Sequence, residues 1–139
     1  VNGATQRVLV IDDDIDVRDS IKRILDRAGF SVRTMADAAE VMLELARAPV
    51  DVIITDIIMP HLNGVDAIEH VRRVFPSIRI VAISGGGNFD VASSSPAPIT
   101  TTSHLAAAHR AGAHVILAKP FEARELIQAV AIAVSGPGR

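Results

Sequence analysis

The chain has 139 residues, enough for one domain of ordinary size with a proper core. It is 49% hydrophobic but only 3% aromatic, and its formal net charge of -2 argues against direct nucleic-acid binding. It has no cysteine, which excludes disulfides and thiolate metal sites and fits a reducing compartment. Its apolar runs fall well short of the roughly 18–20 residues of a membrane span, and the opening VNGATQ lacks the apolar segment of a signal peptide. No membrane association and a cytoplasmic location are therefore expected.

The first aliphatic run, RVLVI at 7–11, predicts a strand. Ile21, Ile24, Leu25 and Ala28 then follow at helical spacing, and Gly29 stands where a left-handed cap is favoured. FSVRTM at 30–35 is weaker and more alternating, as suits an edge strand. Asp37 and Glu40 form a plausible capping box before a helix carrying Ala38, Val41, Met42 and Leu45, closed by Pro49. A third strand is predicted at 50–55, and a third helix through Ile68, Val71 and Phe75 stops at Pro76. The fourth strand covers 78–83.

The stretch 85–103, GGGNFDVASSSPAPITTTS, breaks this rhythm; loops of that length in a small domain are usually functional or disordered. An Ala-rich fourth helix at 105–111 ends at Gly112, and the fifth strand is predicted at 114–118. The last helix, LIQAVAIAV at 126–134, is apolar nearly all round, with only Gln128 breaking the run. Five strands alternating with five helices predict an α/β fold with helices on both faces of a parallel sheet. The flavodoxin-like, doubly wound order 2-1-3-4-5 is expected, with the site at the carboxyl ends of the strands.

The unusual polar residues fall at those ends. Asp12, Asp13 and Asp14 follow the first strand, Asp56 the third, Ser84 the fourth, and Lys119 the fifth. Carboxylates crowded into one crevice repel unless a cation intervenes, and a hard divalent ion with oxygen ligands supplies that charge. Lys119 offers a point charge for phosphate and Ser84 a hydroxyl. Together they predict an aspartate nucleophile placed for phosphoryl transfer.

Four motifs in order carry a family resemblance: VLVIDD at 8–13, DVIITDIIMPHLNG at 51–64, IVAISG at 80–85 and AKPF at 118–121. The chain resembles the receiver domain of two-component response regulators, like that of chemotaxis, across nearly its whole length. The resemblance implies one receiver domain over 1–139, with a core at about 7–134 and a long loop at about 85–103. It implies that Asp56 is phosphorylated, that Asp12, Asp13, Asp56 and the backbone carbonyl of Ile58 hold Mg²⁺ or Mn²⁺, and that Lys119 and Ser84 bind the phosphoryl oxygens. The donor would be a sensor histidine kinase or a histidine phosphotransfer protein. The chain would catalyse only its own phosphorylation and dephosphorylation, and is not otherwise an enzyme.

Two positions depart from the family pattern. Ile116 stands where the family places an aromatic switch residue. Ile58, two after Asp56, cannot hydrogen-bond an attacking water, so slow self-dephosphorylation is expected.

Other readings stand beside this one. A receiver-like module could signal without phosphorylation, or Asp12-x-Asp14 could serve an aspartate-nucleophile phosphohydrolase. Asp14 also reads simply as a helix cap. His61, His70, His104, His109 and His114 lack ligand spacing and read as surface or packing residues. The apolar fourth helix, fifth strand and last helix together predict a homodimer face.

Overall fold

The computed structural model describes residues 5–37, 39–57, 64–84 and 109–135, with the side chains at 64 and 65 excepted. The elements run β1 (Arg7–Ile11), α1 (Ile15–Arg27), β2 (Ser31–Met35), α2 (Val41–Arg47), β3 (Val52–Asp56), α3 (Gly64–Val74) and β4 (Arg79–Ser84). Helical residues 109–111 (α4), β5 (Val115–Ala118) and α5 (Ala123–Ser135) complete the order. All strands are parallel, in the order β2-β1-β3-β4-β5. This is the expected flavodoxin-like sheet, with β2 at one edge. Of the predicted fourth helix, residues 105–108 lie outside the described residues, as does the stretch 85–103.

The aliphatic runs divide by the period of two that a strand imposes. Leu9, Ile11, Ile53, Ile80 and Ala82 meet Val41 and Leu45 of α2 and Ile68 and Val71 of α3 on one face. Val8, Val10, Val52, Ile54, Val81 and Ile83 meet Ile21 and Leu25 of α1 and Leu126, Ala129 and Val130 of α5 on the other. Burial of each large aliphatic side chain contributes about 1.5–3 kcal/mol, so nearly every strand position helps to hold the sheet between its helices.

Helix ends explain where the chain turns toward the site. Asp14 is the N-cap of α1, its Oδ1 accepting the N–H groups of Asp16 (2.9 Å) and Val17 (3.4 Å). At the other end Gly29 takes φ +101°, while Gly29 N–H donates to Asp26 and Phe30 N–H to Leu25. That paired pattern answers carbonyls the helix leaves open, and glycine adopts the backbone angle without a Cβ clash.

The capping box expected from Asp37 and Glu40 does not form. Asp37 Oδ1 instead accepts the N–H of Ala39 at 2.8 Å, and Glu40 is the N-cap of α2 with no side-chain capping bond. A local turn captured the aspartate before the helix began, a competition inherent to short acidic side chains.

Strand limits shift by one or two residues from expectation. The third strand covers 52–56 because Asp51 is engaged at its start: Arg7 N–H donates 2.8 Å to Asp51 Oδ2. At the start of β5, His114 N–H donates to the Ile80 carbonyl (2.8 Å), and His114 Nδ1 accepts the Ile80 N–H (3.0 Å). A side chain thus completes the ladder there. On α5, Ala129, Val130 and Ala133 are buried while Ile132 is 51% exposed, so the helix is not buried all round.

Candidate functional site

Parallel strands bring their carboxyl ends to one edge, and the register aligns them: Ile11 faces Thr55, Asp56 faces Ile83, and Ser84 faces Ala118. Asp12, Asp56 and Ser84 lie there, all buried in a molecule whose other interior side chains are mostly aliphatic. Asp13 is exposed at the rim. One carboxylate oxygen from each of Asp12, Asp13 and Asp56 lies within 4.8 Å of the others. Lys119 reaches in from the end of β5, its Nζ 3.5 Å from Asp56 Oδ2 and 3.8 Å from Asp12 Oδ2. Its backbone N–H donates to the Ser84 carbonyl at 2.9 Å, and a cis peptide joins it to Pro120.

Among the described residues, three carboxylates against one ammonium leave the pocket negative. Burial pushes the Asp12 carboxyl above its ordinary value of 3.8; the Asp14 N–H and Lys119 oppose that shift, while Asp13 and Asp14 add to it. Asp12 Oδ1 accepts the Asp14 N–H at 2.9 Å, but its buried Oδ2 has no hydrogen-bond partner among the described residues. A buried oxygen of this kind is costly to leave bare. The bare oxygen and the clustered carboxylates fit a hard divalent cation, which takes carboxylate oxygens and water. Thus the acidic set is suited to a metal as well as to Lys119.

The expected residues Asp12, Asp13, Asp56, Ser84 and Lys119 therefore come together at one edge. Ile58 lies outside the described residues. Asp14 is turned to the helix amides of α1, so Asp12 and Asp14 do not form the paired site a phosphohydrolase reading requires. Ile116 packs half-buried against the side of the core that carries α2 and α3. His114 is engaged in the β4–β5 ladder at the far end of the sheet. Sequence reading missed Arg18, whose Nη1 donates 2.8 Å to the Asp12 carbonyl. Its only sequence signal is a basic residue inside an acid-rich helix start.

Residues 8–96 match the family model of the response regulator receiver domain. The chain belongs to that family, the receivers of two-component signalling. It is 35% identical over 123 residues to the DNA-binding transcriptional regulator NtrC of Azospirillum brasilense, covering 88% of this chain and 23% of that protein. It is 34% identical over 124 residues to the transcriptional regulatory protein PrrA of Mycobacterium tuberculosis, covering 89% and 48%. The chain thus spans about a quarter to a half of the length of these curated relatives.

Among solved structures, it resembles a putative response regulator from Chloroflexus aurantiacus, with TM-score 0.80 and 26% identity over 96% of this chain and 100% of that one. It also resembles the chemotaxis response regulator CheY4 of Vibrio cholerae, with TM-score 0.73 and 26% identity over 94% and 99%. No helix among the described residues is long and apolar enough to cross a membrane.

Proposed function

We propose that the chain takes a phosphoryl group onto Asp56 from the phosphohistidine of a sensor histidine kinase or a histidine phosphotransfer protein, and signals by conformational change. One observation carries this reading: buried Asp56 lies 3.5 Å from Lys119, beside Asp12, whose Oδ2 has no hydrogen-bond partner among the described residues. A carboxylate oxygen of Asp56 forms the new O–P bond as the N–P bond of the donor breaks. The electron pair of that bond stays on the imidazole nitrogen, which takes up a proton. Lys119 Nζ would meet one phosphoryl oxygen, and Ser84, at the end of β4, would meet another.

Asp12, Asp13 and Asp56, with the Ile58 carbonyl, are the residues assigned to Mg²⁺ or Mn²⁺. When bound, that ion would neutralise charge on the transferring group. The chain's own chemistry would end with its phosphorylation and dephosphorylation, and its output would be contact with other proteins. A cytoplasmic location agrees with a histidine-kinase donor. A groove of about 560 Å³ beside the site, lined by Asp16, Val17, Ser20 and Ile21 of α1 and by Lys119, Pro120 and Phe121, leaves room for a donor to approach. A homodimer through α4, β5 and α5 is part of the same proposal, supported by the exposed Ile132.

Incubation with acetyl phosphate and Mg²⁺ tests the reading by intact mass. A gain of one phosphoryl group, absent without Mg²⁺ and in Asp56→Asn, is expected. Equal labelling of Asp56→Asn would overturn the assignment. Light scattering before and after labelling tests the dimer, and an unchanged monomer mass in both states sinks it. The one observation favouring phosphorylation-independent signalling is the aliphatic Ile116 at the switch position. That reading predicts full partner binding by Asp56→Asn.

A further inference from the structure

Arg18 sits one turn into α1, in a stretch that also holds Asp12, Asp13, Asp14, Asp16 and Asp19. An arginine among five aspartates would ordinarily pair with a carboxylate. Among the described residues it pairs with none of them. The one hydrogen bond of its guanidinium among the described residues runs 2.8 Å from Nη1 to the Asp12 backbone carbonyl, in a part-buried setting. The position also gains nothing from the helix, since a cation near the N-terminus meets the positive end of the dipole.

That carbonyl belongs to the peptide joining Asp12 to Asp13, the two acids that β1 delivers to the pocket. Asp12 N–H donates to the Met35 carbonyl at 3.1 Å, and Asp12 Oδ1 accepts the Asp14 N–H at 2.9 Å. With Arg18 on the carbonyl, the main chain is held on both sides of the Asp12 Cα, and one carboxylate oxygen is held as well. Oδ2 is left facing the pocket, 3.8 Å from Lys119 Nζ. The tilt of the same peptide fixes where the chain leaves for Asp13.

We infer that Arg18 is a positioning residue: its guanidinium orients the Asp12–Asp13 peptide and so sets the spacing of the carboxylates offered to a divalent cation. This inference rests on the metal-site reading proposed above. Its consequence differs in sign from that of charge alone. Deleting a cation near the pocket should tighten binding of a divalent ion by simple Coulomb attraction. Losing the orientation should weaken it.

Calorimetric titration of the metal-free chain with MgCl₂ separates the two. Arg18→Met is expected to weaken Mg²⁺ by about 10-fold, the scale seen when a partner of a metal ligand is removed. Arg18→Lys, which can still donate to the carbonyl, is expected to recover most of that loss. In the metal-free protein, amide exchange at Asp14 should quicken in Arg18→Met, because its acceptor Asp12 Oδ1 is no longer held.

Unchanged or tighter Mg²⁺ binding by a folded Arg18→Met overturns the inference. If that variant does not melt cooperatively, Arg18→Ala, which has no side-chain donor, takes its place with the same expected loss. Absence of Mg²⁺ binding by the unaltered chain would instead remove the metal-site reading, and the inference with it. Equal binding by the unaltered chain and Arg18→Met removes the role of Arg18 alone.

Discussion

The two ends of the sheet handle charge in opposite ways. At the amino ends, Arg7 meets Asp51 through its backbone N–H (2.8 Å) and its guanidinium (3.4 Å), in a pair that stays well exposed to solvent. Asp51 also ties β1 to β4, its N–H donating to Arg7 and its carbonyl accepting from Arg79. At the carboxyl ends, Asp12 and Asp56 are buried, Asp12 Oδ2 lacks a hydrogen-bond partner among the described residues, and Lys119 stands no closer than 3.5 Å. The same strands supply both ends. One end holds its charges in an exposed pair, and the other buries carboxylates that the proposed cation would neutralise.

Mg²⁺ should sharpen this contrast most. At about 100 times its dissociation constant, an ion that binds only the folded chain adds about 2.7 kcal/mol of stability. A raised melting temperature with Mg²⁺, abolished in Asp13→Asn, is the expected result. No Mg²⁺ response in the unaltered chain would erase the distinction between the two ends.

The next effect is of opposite sign. Asp12→Asn removes a buried charge whose protonation burial already favours, so the metal-free chain should gain about 1–2 kcal/mol. The same variant should lose its response to Mg²⁺. Urea melts with and without the ion measure both, and a metal-free loss of stability would mean that the Lys119 contact outweighs desolvation.

Asp51→Ala, at the quiet end, should cost about 1 kcal/mol, since an exposed ion pair contributes little and the Arg7 N–H can turn to water. Its Mg²⁺ response should match that of the unaltered chain. A lost response would show that the two ends are coupled.

The smallest effect is a pH dependence at His114. Burial, and then the charges of Arg72 and Arg79, hold its imidazole below the ordinary value of 6.5. The unfolded chain therefore binds a proton more readily, and Nδ1 must stay bare to accept the Ile80 N–H. The contribution is fully present above pH 6.5 and is lost as pH falls toward and through the lowered folded value. His114→Asn, which keeps an acceptor without a titrating ring, should flatten this part of the stability profile. An unchanged profile would show that the ladder bond does not depend on the ring's protonation.

Much of this was legible in the sequence because it rests on local rules. Aliphatic runs, helical spacing, Asp14 as a cap and Gly29 as a stop all act within a few residues. The site was legible because parallel strands force Asp12, Asp56, Ser84 and Lys119 to one edge, whatever the details between them. The failures are informative. Asp37 has two local bonding options that spacing alone does not rank, so the capping box was misread. Arg18 drew no reading from the sequence, because a bond to a backbone carbonyl leaves no side-chain pattern. His114 lacked a motif because its partner, Ile80, lies 34 residues away and is brought close only by sheet register.

One peptide contact described earlier has a mechanical meaning. The Lys119 N–H holds the Ser84 carbonyl at 2.9 Å, so the two groups assigned to the phosphoryl oxygens share a yoke through the main chain. The inner of the two strands is gripped from both sides, by β3 and by β5, whereas β5 has β4 as its one neighbour in the sheet among the described residues. A pull on Ser84 or Lys119 would therefore be borne by unequal supports. Displacement at the pocket would be passed outward to the β5 margin and α5, where it can be felt by whatever touches that side of the molecule.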